Sequence, residues 1–449
     1  MKQFFYRFFR FTYIVQKWLG KRLTTSGMFV VVGIITSAVF GLDPNPSTNY
    51  QIFAALLSIL AIEIGFSLFF RFRFSATRLL PRFGTVGMPL KYRIAIQNQT
   101  RKNQVGLKLF EDFADPRPSL AEFLAIPEPN EDKRNRFDRS LGFYRWQWAI
   151  ARKQSAIATA IELPLLAGNR KTDVVGTIVP TQRGVVRLAG LTLACPGPLG
   201  LFHACKTFAL PQSISILPKL YNLPSIQLPG SRRYQSGGVA LSSSVGDSEE
   251  FRALREYRAG DSLRNIHWKS WAKVGKPIVK EEQDEFFVRH ALILDTFQSE
   301  LYSEIFEEAI ALAASFAYEV QTQESLLDLM FVGTEAYCFT FGRGLSHTDR
   351  MLEILASVIP CQDRPFDSIV PAIAERISLL SGCICIFLAW DEERKKLVRY
   401  LQSVGIFTLV LIIASDSSQF SHTSELVSDR LTQIQVLTLG NIQAELMQL

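Results

Sequence analysis

The sequence predicts a membrane-anchored multidomain protein: an N-terminal transmembrane helical hairpin, an antiparallel β-sandwich-like domain, and a C-terminal doubly wound α/β domain. Three observations carry the prediction. Two long apolar stretches stand near the N-terminus, the middle is built of short alternating runs, and the last third alternates strand-like with helix-like segments. The chain has 449 residues, 48% of them hydrophobic and 20% charged, with 34 phenylalanines. That composition excludes a disordered chain, which would be poor in aromatics and rich in charge.

The apolar stretches run from Leu23 to Leu42 and from Gln51 to Phe70. Each is long enough, at about 1.5 Å per residue, to cross a hydrocarbon core of about 30 Å. The turn between them, Asp43 to Tyr50, holds prolines and no basic residue. Outside them lie Lys2, Arg7, Arg10, Lys17, Lys21 and Arg22 on one side and Arg71, Arg73, Arg78 and Arg82 on the other. Positive charge on both flanks predicts a multi-pass protein of the cell inner membrane, with the N-terminus and the C-terminal domains cytoplasmic. A second apolar run with no small-residue cleavage site between them argues against a signal peptide. Formal net charge is +7, and six of the excess positive charges fall within the first 22 residues, so the body is not a nucleic-acid binder.

Residues 1–22 form a basic, aromatic segment, and Phe4 to Phe11 suit an interfacial position on anionic lipid. Residues 23–70 form the hairpin. Within it, Glu63 is costly as an isolated charge and is expected to pair with the first helix through Thr36 or Ser37.

Residues 75–245 read as the β-rich domain. Leu90 to Gln97, Val105 to Phe110, Tyr144 to Ile150, Val174 to Val179 and Ile214 to Leu217 alternate with period two between Gly, Pro and Asn breaks. Pro127 to Arg139 reads as a polar loop, followed by Tyr144, Trp146 and Trp148 on one strand face. Core packing is the favoured reading of those rings, and a stacking platform for nucleic acid or a lipid-surface contact is the alternative.

Residues 286–449 read as the α/β domain. Strands are predicted at Ala291 to Leu294, Leu327 to Val332, Ala336 to Phe341, Cys383 to Leu388 and Phe407 to Ala414. Helices are predicted at Glu304 to Val320, Thr348 to Ile359 and Ile369 to Leu380. The continuous apolar strands require cover on both faces. The ligand crevice of such a sheet lies beyond the strands' carboxyl ends, where Asp295 to Ser299, Asp391 to Glu393 and Ser415-Asp416 fall. Oxygen ligands there could hold magnesium. No glycine-rich phosphate loop is present, and none of the six cysteines has CxxC spacing, so reduced thiols are expected.

The densest text lies at 246–285. Gly260 permits a tight turn, and Asp261 could cap a short helix from Ser262. Ile266, Trp268 and Trp271 supply its apolar anchor, and Gly275 its stop. Arginines interleaved with carboxylates suggest an ion-paired surface. His267 could serve as a general base, but no nucleophile or oxyanion element accompanies it.

The string Phe251, Leu254, Arg255, Tyr257, Gly260, Asp261, Arg264, Ile266, Trp268 and Lys269 resembles the signature of the Domain of Unknown Function 58 family. Upstream, Gln182 to Val185 and Pro198-Leu199-Gly200-Leu201-Phe202 resemble two further elements of that family, the second with leucine in place of its usual phenylalanine. The resemblance implies a von Willebrand factor A-like C-terminal domain and association with a MoxR-type AAA+ ATPase. The implied metal motif, Asp-x-Ser-x-Ser, here reads Asp295, Phe297, Ser299, with Asp391 where a further acid is expected. A ring thus replaces one hydroxyl ligand, so the fold is expected without its ion or any other cofactor. The expected function is a non-catalytic bacterial membrane scaffold or adaptor that binds protein partners, an AAA+ ATPase among them. The alternative is a metal-dependent enzyme using Asp295, Asp391 and His267, with magnesium as its ion.

Overall fold

The structure is a computed structural model. It describes residues 2–40, 48–69, 73–129, 131–224, 251–259, 261, 263, 266–282, 289–300, 302–322, 326–341, 345–415 and 431–449. The chain divides into two compact units, Met1–Lys219 with Glu353–Ser357, and Leu220–Leu352 with Val358–Leu449.

The first unit opens with three helices, α1 (Lys2–Arg22), α2 (Thr25–Phe40) and α3 (Thr48–Phe69). Thr24 separates α1 from α2 and its Oγ1 accepts from the Gly27 N–H at 3.0 Å, satisfying one orphan donor of the helix start. Among the described residues, one helix is long and apolar enough to cross a membrane, over Thr48–Ser67. α2 is mostly apolar but has 16 residues, about 24 Å of helix.

Nine strands follow: β1 (Phe74–Leu79), β2 (Phe83–Thr85), β3 (Leu90–Asn98), β4 (Lys108–Phe113), β5 (Ala156–Ala158), β6 (Ile161–Glu162), β7 (Lys171–Pro180), β8 (Gly184–Pro196) and β9 (His203–Leu217). They form two sheets, ordered β1-β3-β7-β5 and β2-β9-β8-β4-β6. All pairs are antiparallel except β2 with β9. Ile94, Ile96 and Ile178 of one sheet share a core with Leu109, Val186, Leu193 and Ile216 of the other. Each such side chain, fully buried, stabilises the fold by about 1.5–3 kcal/mol. Arg78, read from the sequence as a membrane-flanking charge, instead lies sealed in this core. It pairs with Glu111 at 2.5 Å, and Tyr92 Oη donates to the same carboxylate at 2.6 Å. Burial pushes the Glu111 carboxyl up to about 7 despite those partners.

Between β4 and β5 lie three short helices, α4 (Leu120–Ala125), α5 (Arg136–Leu141) and α6 (Phe143–Lys153). A capping box between Ser119 and Glu122 starts α4. This corrects two expectations. Tyr144 to Ile150 is helix rather than strand, and the segment read as a polar loop carries the 3₁₀ turn Glu131–Lys133 and the start of α5. Phe143, Trp146 and Ile150 recur at i, i+3 and i+7, which also satisfies helical spacing. The buried Trp146 ring meets Tyr6, Phe9 and Phe123, with centroids 5.6, 6.1 and 6.2 Å away. It is core, as favoured, but core for α1, whereas Tyr144 is exposed and Trp148 half-buried, against the same expectation.

The second unit contains a two-stranded sheet, β10 (Phe251–Glu256) with β11 (Ile278–Glu282), enclosing α7 (Trp268–Val274). Its main sheet uses β12 (Arg289–Leu294), β13 (Leu326–Val332), β14 (Ala336–Phe341), β15 (Gly382–Phe387), β16 (Phe407–Ala414) and β17 (Thr432–Thr438). The order is β14-β13-β12-β15-β16-β17, parallel except for β14. α8 (Glu304–Thr322) packs on the central strands. The other face carries α10 (Val370–Ala374) and α11 (Glu392–Ser403), with Ile373, Leu397 and Leu401 against Ile293, Cys383, Cys385 and Val410. α9 (Leu345–Ser357) and α12 (Ile442–Leu446) complete the helices named here. The helix expected over Ile369 to Leu380 is broken into 3₁₀ turns around α10. All six cysteines are free thiols, and Cys383 and Cys385 face one side of the sheet as alternation requires.

Candidate functional site

In the signature segment, Arg255 on β10 reaches Asp261 through two hydrogen bonds, Nη1 to Oδ2 at 2.6 Å and Nη2 to Oδ1 at 2.7 Å. Asp261 Oδ2 also accepts from the Arg258 N–H at 2.8 Å. The Arg255 guanidinium and that backbone donor hold the Asp261 carboxyl down to about 2. Asp261 therefore closes the turn after β10; Ser262, the predicted start of a short helix, lies outside the described residues, and α7 begins at Trp268. Buried Ile266 bridges to Val279 of β11, and the His267 N–H donates to Ile278 O at 2.8 Å. Tyr257 is half-buried, its N–H bonded to Pro277 O at 2.9 Å, and Lys269 is exposed. Gly275 ends α7 in the left-handed region at φ 75°, where a Cβ would be strained. Gly260 and Arg264 lie outside the described residues, as does the side chain of Phe251.

Trp268 reverses an expectation. The sequence made it part of an apolar anchor, yet it is 65% exposed. Its ring stacks on half-buried Trp271 with centroids 5.2 Å apart and planes 20° apart. Leu254, Leu263 and Val274 are exposed in the same segment. Ile266 is the anchor, and size and hydrophobicity alone do not tell a core ring from a surface one.

At the carboxyl end of β12, between β12 and β15 where the strand order reverses, lies Asp295. It is fully buried. Its Oδ2 accepts from Arg394 Nε at 2.7 Å and the Leu388 N–H at 3.1 Å, and its Oδ1 from the Phe297 N–H at 3.0 Å. Burial pushes the Asp295 carboxyl upward, and Arg394 with the two backbone donors works against that push. Asp391 caps α11 and takes the other side of the guanidinium through Nη1. The guanidinium also lies 4.6 Å over the Phe366 ring, and Phe297 packs edge-on against Phe366 at 5.4 Å.

Two of the three expected ligand positions, Asp295 and Asp391, thus converge on an internal cation. Ser299 is exposed, and its carbonyl accepts from Gln362 Nε2 at 2.7 Å. His267 engages Ser270 at 2.6 Å in the signature segment. A metal ion at Asp295 would first have to displace Arg394. Among the described residues, no three His, Cys, Asp or Glu side chains are grouped to hold one. Asp416 lies outside the described residues.

A third site joins the helices to the β-sandwich. The turn between β8 and β9, Gly197 to Phe202, closes with Gly197 N–H to Phe202 O at 2.9 Å. Thr24 donates through Oγ1 to Gly200 O at 2.7 Å, and its N–H to Leu201 O at 3.2 Å. Glu63 of α3 is buried beneath this turn and accepts from the Leu199 N–H through Oε1, with Oε2 unpartnered. This corrects the expected pairing with Thr36, whose hydroxyl bonds the Val32 carbonyl of its own helix at 3.0 Å. A Cβ on Gly197 would collide with the Glu63 carboxylate, which explains the glycine. A backbone donor 136 residues away leaves no trace in the neighbouring sequence.

Residues 253–373 match the family model described as Protein of unknown function DUF58. The uncharacterized protein YeaD of Bacillus subtilis (strain 168) is 28% identical over 160 residues, 35% of this chain and 38% of that relative's length. A solved cohesin module from a Clostridium perfringens ATCC13124 family 33 glycoside hydrolase is 13% identical, with a TM-score of 0.17. The match covers 32% of this chain and 98% of the module, and at that score it bears no argument.

Proposed function

We propose that this chain, whose residues 253–373 match the DUF58 family model, is a membrane-anchored scaffold whose signature segment docks a protein partner, an AAA+ ATPase of the MoxR type. The observation that carries this reading is exposed Trp268, stacked on half-buried Trp271 of α7. A large ring left in water forgoes the stabilisation that burial would give, and tryptophan is enriched at the centres of protein interfaces. Leu254, Leu263 and Val274 of the same segment are exposed as well, and Arg255–Asp261 fixes the turn after β10.

α3, with α2 beside it, supplies the membrane anchor, and the basic α1 favours a cytoplasmic N-terminus and cytoplasmic bodies. The strand order of the second unit supports a von Willebrand factor A-like sheet, whose usual ion position is taken by Arg394. That replacement favours a scaffold over a metal-dependent enzyme. A photo-crosslinking side chain at position 268 of the full-length protein, in membranes, tests the reading. The expected result is a crosslink to an AAA+ ATPase from position 268 and none from exposed position 396 on α11. Equal crosslinking from both positions, or none from 268, overturns it.

A further inference from the structure

α1 presents three faces. Tyr6 and Phe9 are buried against α4 and α6. On the far side Phe4, Phe8 and Phe11 are 70%, 53% and 65% exposed, and half-exposed Trp18 extends the stripe. Their spacing of four, three and seven residues puts the four rings along one line of the helix. Between these faces, Arg7 and Arg10 form one wall of a cleft of about 620 Å³ whose far side includes Arg117 and Lys153. Its two acids are engaged, Asp115 by Arg117 and Glu122 by Lys153. Arg7 and Arg10 have no acidic partner among the described residues.

We infer that α1 lies on an anionic phospholipid surface, with the aromatic stripe among the headgroups and the Arg7–Arg10 cleft holding a lipid phosphate. The inference rests on the reading of α3 as a membrane span. Charge complementarity supports the occupant, because residues 1–22 contain six basic residues and no acid. Continuity supports the place: α1 ends at Arg22 and α2 starts at Thr25. Trp18, at the end of the stripe, packs 6.0 Å from Phe202 in the turn that covers Glu63. Aromatic rings flanked by cations suit the interface, where the ring enters the apolar edge and the charge stays with phosphate.

The test uses the full chain in phosphatidylcholine nanodiscs, with and without phosphatidylglycerol, and lipids brominated at shallow or deep acyl positions. Fluorescence added by Phe8→Trp is expected to be quenched by shallow bromines, and that added by Ile59→Trp, within α3, by deep ones. Quenching at Ile59→Trp alone overturns this inference and leaves the anchor standing; quenching at neither position removes the anchor as well. For the cleft, native mass spectrometry counts retained phosphatidylglycerol. Arg7→Gln and Arg10→Gln should each reduce retention about fivefold, corresponding to about 1 kcal/mol per cation. Both side chains are exposed, so melting should not change. Unchanged retention overturns the headgroup assignment, and so does loss of phosphatidylglycerol to inorganic phosphate with Phe8→Trp unquenched.

Discussion

Arg394 and Arg255 each hold an aspartate through charge-assisted hydrogen bonds, but the first pair is sealed inside the α/β unit while the second is half-exposed to water. Their surroundings decide what each can do. The buried pair satisfies a carboxylate that would otherwise stand desolvated at the strand ends, and it fills the place where a ligand would sit. The half-exposed pair gains little from its charges and serves geometry, fixing the turn after β10 in the segment that carries exposed Trp268. Position in the fold, more than residue type, separates structure from contact.

The largest effect should come from breaking the sealed pair. Arg394→Met leaves Asp295 buried without its cation and should destabilise the α/β unit by about 3–5 kcal/mol. Adding Asp295→Asn, which removes the orphaned charge, should recover most of that loss. Denaturant unfolding read by hydrogen exchange in β12 and β15 would measure both. A cost near that of a surface substitution would mean that water reaches the pair and would erase the contrast.

His290 on β12 tests the same interior by pH. It is buried, its Nδ1 has no partner, and burial lowers its pKa from 6.5 to about 4. The folded chain therefore stays neutral there while the unfolded chain takes up a proton. Stability is fully present above the unfolded value and falls as pH drops from about 6.5 toward 4, by about 3 kcal/mol in all. His290→Leu should flatten that limb of the stability curve. A limb unchanged in the variant would place the titrating group elsewhere.

Glu63 sharpens the comparison from the other unit, as a sealed carboxylate held by a backbone N–H instead of a cation. Gly197→Ala drives a methyl group into it and should cost about 1–3 kcal/mol. Glu63→Ala removes the clash but leaves the Leu199 N–H without its acceptor, so the double variant should cost less than the two singles together. Additive losses in thermal unfolding of the detergent-solubilised protein would show that the two sites do not touch.

The sequence made the local periodicities legible and left the distant partners hidden. Alternation at Leu90 to Gln97 and the apolar runs at Cys383 to Leu388 and Phe407 to Ala414 gave strands where strands are found. Tyr144, Trp146 and Trp148 alternate equally well, yet the segment is helical. Trp146 packs against Tyr6 and Phe9, more than 130 residues earlier in the chain. Asp295 was found from its place at a strand end. Its cation, 99 residues on, was not, because an arginine inside an amphipathic helix reads as solvent-facing. Trp268 was assigned to the interior for its size, and no local pattern marks a ring left in water.

The smallest stability effect belongs to that ring, and it gives the sharpest test of the contrast. Trp268→Ala removes a side chain that is 65% exposed, so unfolding should shift by no more than about 0.5 kcal/mol. A central tryptophan of an interface, by contrast, contributes about 2 kcal/mol or more to binding, roughly a thirtyfold change in affinity. The two measurements on one variant therefore separate the roles. Unchanged melting with binding to the proposed AAA+ ATPase weakened thirtyfold would make the signature segment a contact surface set on a rigid turn. Lost stability with binding per folded molecule unchanged would return Trp268 to the interior and leave Arg255 and Asp261 as supports of the fold alone.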